Sequence, residues 1–272
     1  MLLVSVRENF TATTDFSETD QYREVAQPVL APFTVLTLEQ LQQRVAGKKC
    51  LVLVHGYRNE AESAVAAYGK VADMINRTAS GPGAAVYDEI IGYLWPGGWL
   101  RVSFFFAVFR ANRAAKRFEK LLLALGEAGA VVDVQTHSLG ARVAAEALDR
   151  QRARIRFLHL TAPAIDDESV ERRKEYEEAC AQCQGVYVFH SEKDQVLKVG
   201  YRLGDFPEFD MALGFHGPQH PNMVTANTKV VDCRDVVEEH GGYRNAPEYF
   251  DYWLNELRGP GSPQFVRLPR NR

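Results

Sequence analysis

The 272-residue chain is predicted to fold as an α/β protein with a mostly parallel central sheet and helices on both faces. Three observations predict this. Short apolar runs rich in β-branched residues recur along the chain, each closed by Gly, Pro or charged residues. Helical patterns separate the runs. Several of the runs are apolar throughout rather than alternating, as strands covered on both faces are.

Taken in order, "MLLVSVRENF" reads as a strand, because it has neither a basic n-region nor a small-residue cleavage site. Lys48-Lys49 opens "CLVLVHGY", a buried-strand pattern. In "NEAESAVAAYGKVADMINR", Ala61, Val65, Tyr68, Val71, Ala72 and Ile75 recur near helical spacing. "SGPG" breaks the chain before "YDEIIGYLW", a second strand, which ends at Trp95-Pro96-Gly97-Gly98. A helix is predicted over roughly 111–127, where Ala114, Phe118, Leu121, Leu122 and Leu125 share a side. "AVVDVQT" is the next strand, "LGARVAAEALDRQ" a helix, and "RIRFLHLTAPA" a strand. "DDESVERRKEYEEAC" reads as a charged, exposed helix, "GVYVFHSEKD" and "TKVVDCRDV" as strands, and "APEYFDYWLNEL" as a closing amphipathic helix.

With 46% hydrophobic residues the chain can bury a full core, and its length fits one α/β domain as readily as two smaller ones; residues 1–272 are expected to form a single domain. Residues 1–47 stand as an N-terminal extension, 97–112 as a small aromatic lid-like insertion after the Trp95 strand, and 258–272 as a loose Pro/Gly/Arg-rich tail. The net charge of −3 and pI near 6.2 supply no global positive field, so nucleic acid and anionic lipid are not expected partners. The most apolar window, "WLRVSFFFAVFR", is far shorter than the ~20 residues that span a bilayer. A cytoplasmic location is expected, with a small-molecule substrate. Cys50, Cys180, Cys183 and Cys233 are scattered. Cys180-Ala-Gln-Cys183 lacks the second pair of a zinc site, so no metal or cofactor is expected.

In such sheets ligands sit at the carboxyl ends of the strands, and three residues there fit one reaction. Ser138, in "QTHSLGA", lies between a strand and a helix, where a sharp turn exposes a hydroxyl. Residues two before and two after such a serine should be small; Gly140 is, Thr136 only partly. Read alone, Ser138 is equally a helix N-cap. Asp194, after "VYVFHSEK", is placed to orient an imidazole, with Asp166 and Asp167 as rival acids that also suit a helix N-terminus. His240, in "EEHGGY", lies on a glycine loop and has the best position of the seven histidines. His216 and His220 are alternatives on another loop. His137 should point away from its neighbour Ser138, and His159 and His190 fall in strand patterns. The order Ser138, Asp194, His240 is that of a strand-end acyl-transfer triad. "LVLVHGYRNE" adds a loop at His55-Gly56, whose glycine lets backbone approach closely. The backbone N–H groups of Tyr57 and Leu139 are the candidate oxyanion donors, and His55 is expected to brace the loop.

"VHGYRNE", "YLWPGG", "THSLGARVAAEAL", "LTAPAIDDE", "HSEKDQVLK" and the late "HGGY" together resemble the α/β-hydrolase superfamily. They are most similar to a bacterial branch of hydrolases of unknown function, in which an Asn follows the His-Gly-aromatic loop, as Asn59 does here after Arg58. The resemblance spans about residues 48–256. It implies a catalytic Ser138, Asp194 and His240 and an oxyanion loop at Gly56-Tyr57. Thr136, where that pattern has glycine or alanine, is its main departure.

Trp95, Trp99, Phe104 and Phe105, with Phe106 and Phe109 beyond, are expected to line an acyl pocket or lid, since apolar walls suit ester substrates. Packing of a cap onto the core is the competing reading. A serine hydrolase cleaving a carboxylic ester or related acyl bond is therefore expected. A non-catalytic binding protein of the same fold and an acyltransferase using the same serine are the alternatives.

Overall fold

The computed structural model describes residues 1–79, 86–98, 104–201, 211–259 and 261–270. The chain enters through β1 (Leu2–Arg7) and returns through β2 (Phe16–Val25) and β3 (Phe33–Leu36). Strand–helix alternation follows. α1 (Leu38–Val45) leads to β4 (Lys49–Val54), α2 (Ala61–Thr78) to β5 (Glu89–Leu94), α3 (Phe104–Glu127) to β6 (Val131–His137), and α4 (Gly140–Asp149) to β7 (Ile155–Thr161). The short α5 (Glu177–Ala181) precedes β8 (Cys183–His190). Then come β9 (Thr228–Asp232), the closing helix α6 (Pro247–Arg258) and β10 (Phe265–Arg267).

The sheet order is β10-β9-β8-β7-β6-β4-β5-β1-β2-β3. Every pairing from β10 to β1 is parallel, and the β1–β2 and β2–β3 pairings are antiparallel. The chain moves outward from β4 to β5 and then returns past β4 to β6. Right-handed crossovers in opposite directions put their helices on opposite faces. Accordingly α2 packs with α6 on one side, while α3, α4 and α5 pack in series on the other. The expected mostly parallel sheet covered on both faces is what the chain forms. Among the described residues, no helix is long and apolar enough to cross a membrane.

Four elements differ from the sequence reading. All six residues of β1 are buried, and β1 pairs with β5, so the N-terminal segment is a member of the sheet rather than an appendage. Part of the expected loose tail is the edge strand β10, pinned by Leu268 in the core and by a two-pronged Arg267–Asp235 pair. α3 begins seven residues before its expected start, at Phe104 rather than 111, so most of the described end of the lid-like insertion is helix. The charged segment before β8 is mainly turns. Glu171 and Tyr176 are buried there, and the Glu171 carboxylate takes the backbone N–H and ring Nδ1 of His220. A segment whose acids turn inward to clasp a neighbouring loop cannot present the solvated face of an exposed helix.

At the centre of β7, His159 is fully buried among Tyr187, Phe189 and Trp253, and neither ring nitrogen has a hydrogen-bond partner among the described residues. Burial, with the charge of Arg156, pushes its pKa down to about 3. The folded form therefore holds it neutral, while the unfolded chain takes up a proton below the ordinary value of 6.5. Stability present above that value is lost as the pH falls from 6.5 toward 3, at about 1.4 kcal/mol per unit for this group. His159→Leu is expected to remove this part of the acid slope. Urea unfolding at neutral pH and at about pH 5 should show the variant gaining about 2 kcal/mol on the wild type over that interval. Parallel stability curves would contradict the assignment.

Candidate active site

β4 lies between β5 and β6, so the strand order reverses there and the carboxyl ends of β4 and β6 border the crevice where ligands bind in open α/β sheets. The loop after β4 and the turn after β6 meet at this place. Ser138 has φ 55°, a left-handed conformation that costs a non-glycine residue about 1–3 kcal/mol and persists only when its surroundings enforce it. They do. The Ser138 N–H donates to Thr161 O (3.0 Å), and its carbonyl accepts from the N–H groups of Ala141 (3.0 Å) and Ala164 (3.2 Å).

Two glycines permit the crossing. A Cβ on Gly140 would stand 2.7 Å from the carbonyl oxygens of both Val54 and His55. One on Gly56 would stand 2.8 Å from His137 O and from Ser138 Cβ. The first turn of α4 is thus pressed against the end of β4, and the β4 loop against the serine. Gly140→Ala is expected to force backbone apart, at about 1–3 kcal/mol, and to lower the melting temperature by several degrees. A thermal melt equal to that of the wild type would contradict this.

Thr136 does not share that crowding. It is fully buried, and its Oγ1 donates to His159 O across the β6–β7 pair (3.3 Å). The sheet accommodates the hydroxyl without moving the turn. Thr136→Gly should leave turnover within about tenfold, or 1.4 kcal/mol in barrier; loss of turnover in a folded variant would give the threonine a part in the chemistry.

Asp194 and His240 come together. Asp194 is fully buried in the turn after β8, and its Oδ2 accepts from His240 Nδ1 at 2.6 Å. Its Oδ1 accepts from Leu197 N–H at 3.0 Å, so both oxygens are fixed. His240 keeps some exposure (18% of its side chain). The loop carrying it is tied down by Ser191 Oγ, which donates to Val237 O (2.8 Å). His137, next to the serine, has its ring 4.6 Å from that of His240, and its Nε2 donates to His240 O at 2.9 Å. Burial first, and then the charges of His240 and Arg244, hold the His137 pKa well below its ordinary value, so this donor stays neutral. Among the described residues Ser138 Oγ has no hydrogen bond to His240.

The loop is braced as expected. The His55 ring stacks on Trp95 (5.4 Å, 4°), its Nδ1 donates to Gly56 O (2.7 Å), and its Nε2 accepts from Trp95 N–H (3.2 Å). Trp95 is a correction. It is wholly buried, its indole N–H donates to His55 O (2.8 Å), and it supports the loop from below rather than lining a substrate wall. Phe105 is exposed and packs edge-on with Phe106 and Phe109 at the start of α3. Trp99 lies outside the described residues, as does the side chain of Phe104. A cavity of about 30 Å³ is lined by His55, Gly56, His137, Tyr68 and Tyr249.

The rival residues are engaged elsewhere. Asp166 accepts from Tyr201 OH, His220 is held by Glu171, and His216 lies 4.0 Å from Glu192. The four cysteines are free and buried, and burial pushes the Cys180 thiol up to about 11.

Residues 36–241 match the family described as "Alpha/beta hydrolase of unknown function (DUF900)". The chain belongs to this family. The match takes in the Gly56 loop, the Ser138 turn, Asp194 and His240, and leaves β1 outside. A search of curated proteins finds no match. Among solved structures, this DUF900 protein is similar to a mutant of the esterase rPPE, with 12% identity, 94% of this chain and 70% of the other covered, and a TM-score of 0.40. It is also similar to carboxyl esterase 2 of Tuber melanosporum (14%, 92% and 77%, 0.36) and to the esterase Pf2001 of Pyrococcus furiosus (10%, 100% and 82%, 0.34). Likenesses this distant do not bear on its activity.

Two residues beside the site were not legible beforehand. His137 was expected only to turn away from the serine, and its bond to the His240 carbonyl joins segments 103 residues apart. Arg7 closes the apolar strand β1 yet is fully buried against His55. A charged residue ending a run of buried positions is its one sequence signal.

Proposed function

We propose that this α/β hydrolase cleaves a carboxylic ester or related acyl bond through an acyl-enzyme on Ser138. The observation that carries the reading is the 2.6 Å Asp194–His240 pair on the same sheet edge as the strained Ser138 turn. Because His240 Nδ1 donates to Asp194, its Nε2 carries the lone pair that a general base needs. His240 takes the Ser138 hydroxyl proton as Oγ attacks the acyl carbon. The backbone N–H groups of Tyr57 and Leu139 hold the oxyanion of the tetrahedral intermediate, and Leu139 adds the positive end of α4. His240 then gives the proton to the departing alcohol. Water, activated by the same imidazole, attacks the acyl-enzyme and releases the acid. Asp194 stabilises the imidazolium in both halves. The exposed phenylalanines that open α3 suit the apolar part of an acyl substrate.

Release of acid from short-chain p-nitrophenyl esters by the purified protein tests this reading. Turnover that stops on treatment with a fluorophosphonate is expected. A folded protein that neither releases acid nor reacts with the phosphonate would overturn it, and alcohol-dependent acyl transfer without acid release would replace hydrolase with acyltransferase.

A further inference from the structure

Arg7 is a buried cation with no ion-pair partner among the described residues. Its side chain is fully enclosed at the end of β1. Tyr68, Glu62 and Glu60 act on it only through space, and burial pushes its pKa down to about 10, which leaves it charged at neutral pH. A buried charge without a direct ion pair costs a fold stability, so its surroundings should show what it is kept for. Its NH2 group donates both to His55 Nε2 (2.9 Å) and to Asn59 O (2.7 Å), the two ends of the turn that carries Gly56 and Tyr57. NH1 donates to Thr11 O (3.4 Å), while Nε has no hydrogen-bond partner among the described residues.

The consequence passes along one peptide. A guanidinium only donates, so His55 Nε2 must accept and its proton sits on Nδ1, which donates to Gly56 O (2.7 Å). Asn59 Nδ2 donates to the same oxygen (3.2 Å) and to Tyr57 O (3.0 Å). The Gly56–Tyr57 peptide is planar and trans, so fixing the carbonyl toward His55 fixes the Tyr57 N–H on the opposite side. Trp95 N–H also donates to Nε2, at 3.2 Å, but the charged donor is the stronger of the two.

We propose that Arg7 is a positioning residue of the oxyanion loop: from a strand outside the family's matched segment, it clamps both ends of the His55–Asn59 turn and so aims the Tyr57 N–H. The proposal rests on the ester-hydrolase reading above. It makes β1 part of the active machinery, and it adds a fixed positive charge behind the place where negative charge develops.

The test is kcat and KM on a short-chain ester, with kcat expressed per site titrated by a fluorophosphonate. Arg7→Met is expected to lower kcat per labelled site about 100-fold, near the cost of losing one oxyanion donor, with KM within about threefold. Arg7→Lys, which keeps the charge but cannot bridge both acceptors, should recover about tenfold of that loss. Arg7→Met combined with His55→Asn should be no more than about threefold worse than the poorer single variant, because both act through one turn. A merely structural role would lower the labelled fraction and the melting temperature while leaving kcat per site unchanged. Arg7→Met with kcat per site within about twofold of wild type would overturn the proposal. If that variant does not fold, Arg7→Gln is read by the same criterion. Wild-type protein that fails to label or turn over would instead strike the ester-hydrolase reading, and this is seen before any variant is compared.

Discussion

Ser138→Ala is expected to lower ester turnover by about six orders of magnitude with the fold intact. The loss is this large because, among the described residues, no neighbouring group can replace the hydroxyl. His137 is spent on the His240 carbonyl and is held neutral by burial. Asp194 has both oxygens engaged. What remains is the oxyanion loop and its binding energy, which alone leave about 10³–10⁴ of rate over water. The substitution also removes no hydrogen bond from the turn, since the contacts that hold φ at 55° are made by the Ser138 backbone. Steady-state kinetics, with circular dichroism to verify the fold, is the check. Turnover within tenfold of wild type would exclude Ser138 as the nucleophile.

Asp194→Asn is expected to cost about 10⁴-fold in kcat while changing KM little. The carboxylate now accepts from His240 Nδ1 at 2.6 Å and so leaves Nε2 free to take a proton. An amide in its place can present its NH2 to Nδ1, which forces the ring proton onto Nε2 and disarms the base. Leu197 N–H can still be satisfied by the amide oxygen, so the turn after β8 should hold. The two substitutions act on one unit: Ser138→Ala/Asp194→Asn should be no slower than Ser138→Ala. Multiplicative losses in the double variant would mean that Asp194 does not work through the serine.

The strand–helix alternation was legible because parallel strands buried on both faces are written as unbroken apolar runs, and "CLVLV" and "VYVF" are such runs. The elements of the candidate site could be read for a related reason. A serine, an acid and a histidine each follow a strand, and strand ends share one edge of the sheet. What the sequence concealed depends on contacts remote along the chain. Trp95 looks like a pocket aromatic until its indole is found spanning to His55 O, 40 residues away. Glu171 looks solvated until His220, 49 residues on, fills both its oxygens. β10 carries only three residues, too few for a periodic signal, and is recruited by pairing with β9. Arg7 reads as the polar end of a strand, and only the register of β1 beside β5 carries it under the β4 loop.

Thr136 illustrates the same limit from the opposite side. By size it conflicts with the crowding expected beside a nucleophilic turn. In the fold that crowding falls on Gly56 and Gly140, whose absent Cβ atoms let backbone meet backbone, whereas the threonine hydroxyl finds a carbonyl on β7.

Peptide mapping of the protein after reaction with a fluorophosphonate tests the central claim most directly. The account predicts one phosphonyl group per chain, on Ser138, with labelling lost in Ser138→Ala and slowed in Asp194→Asn. An adduct on any other residue, or labelling that survives Ser138→Ala, would contradict it.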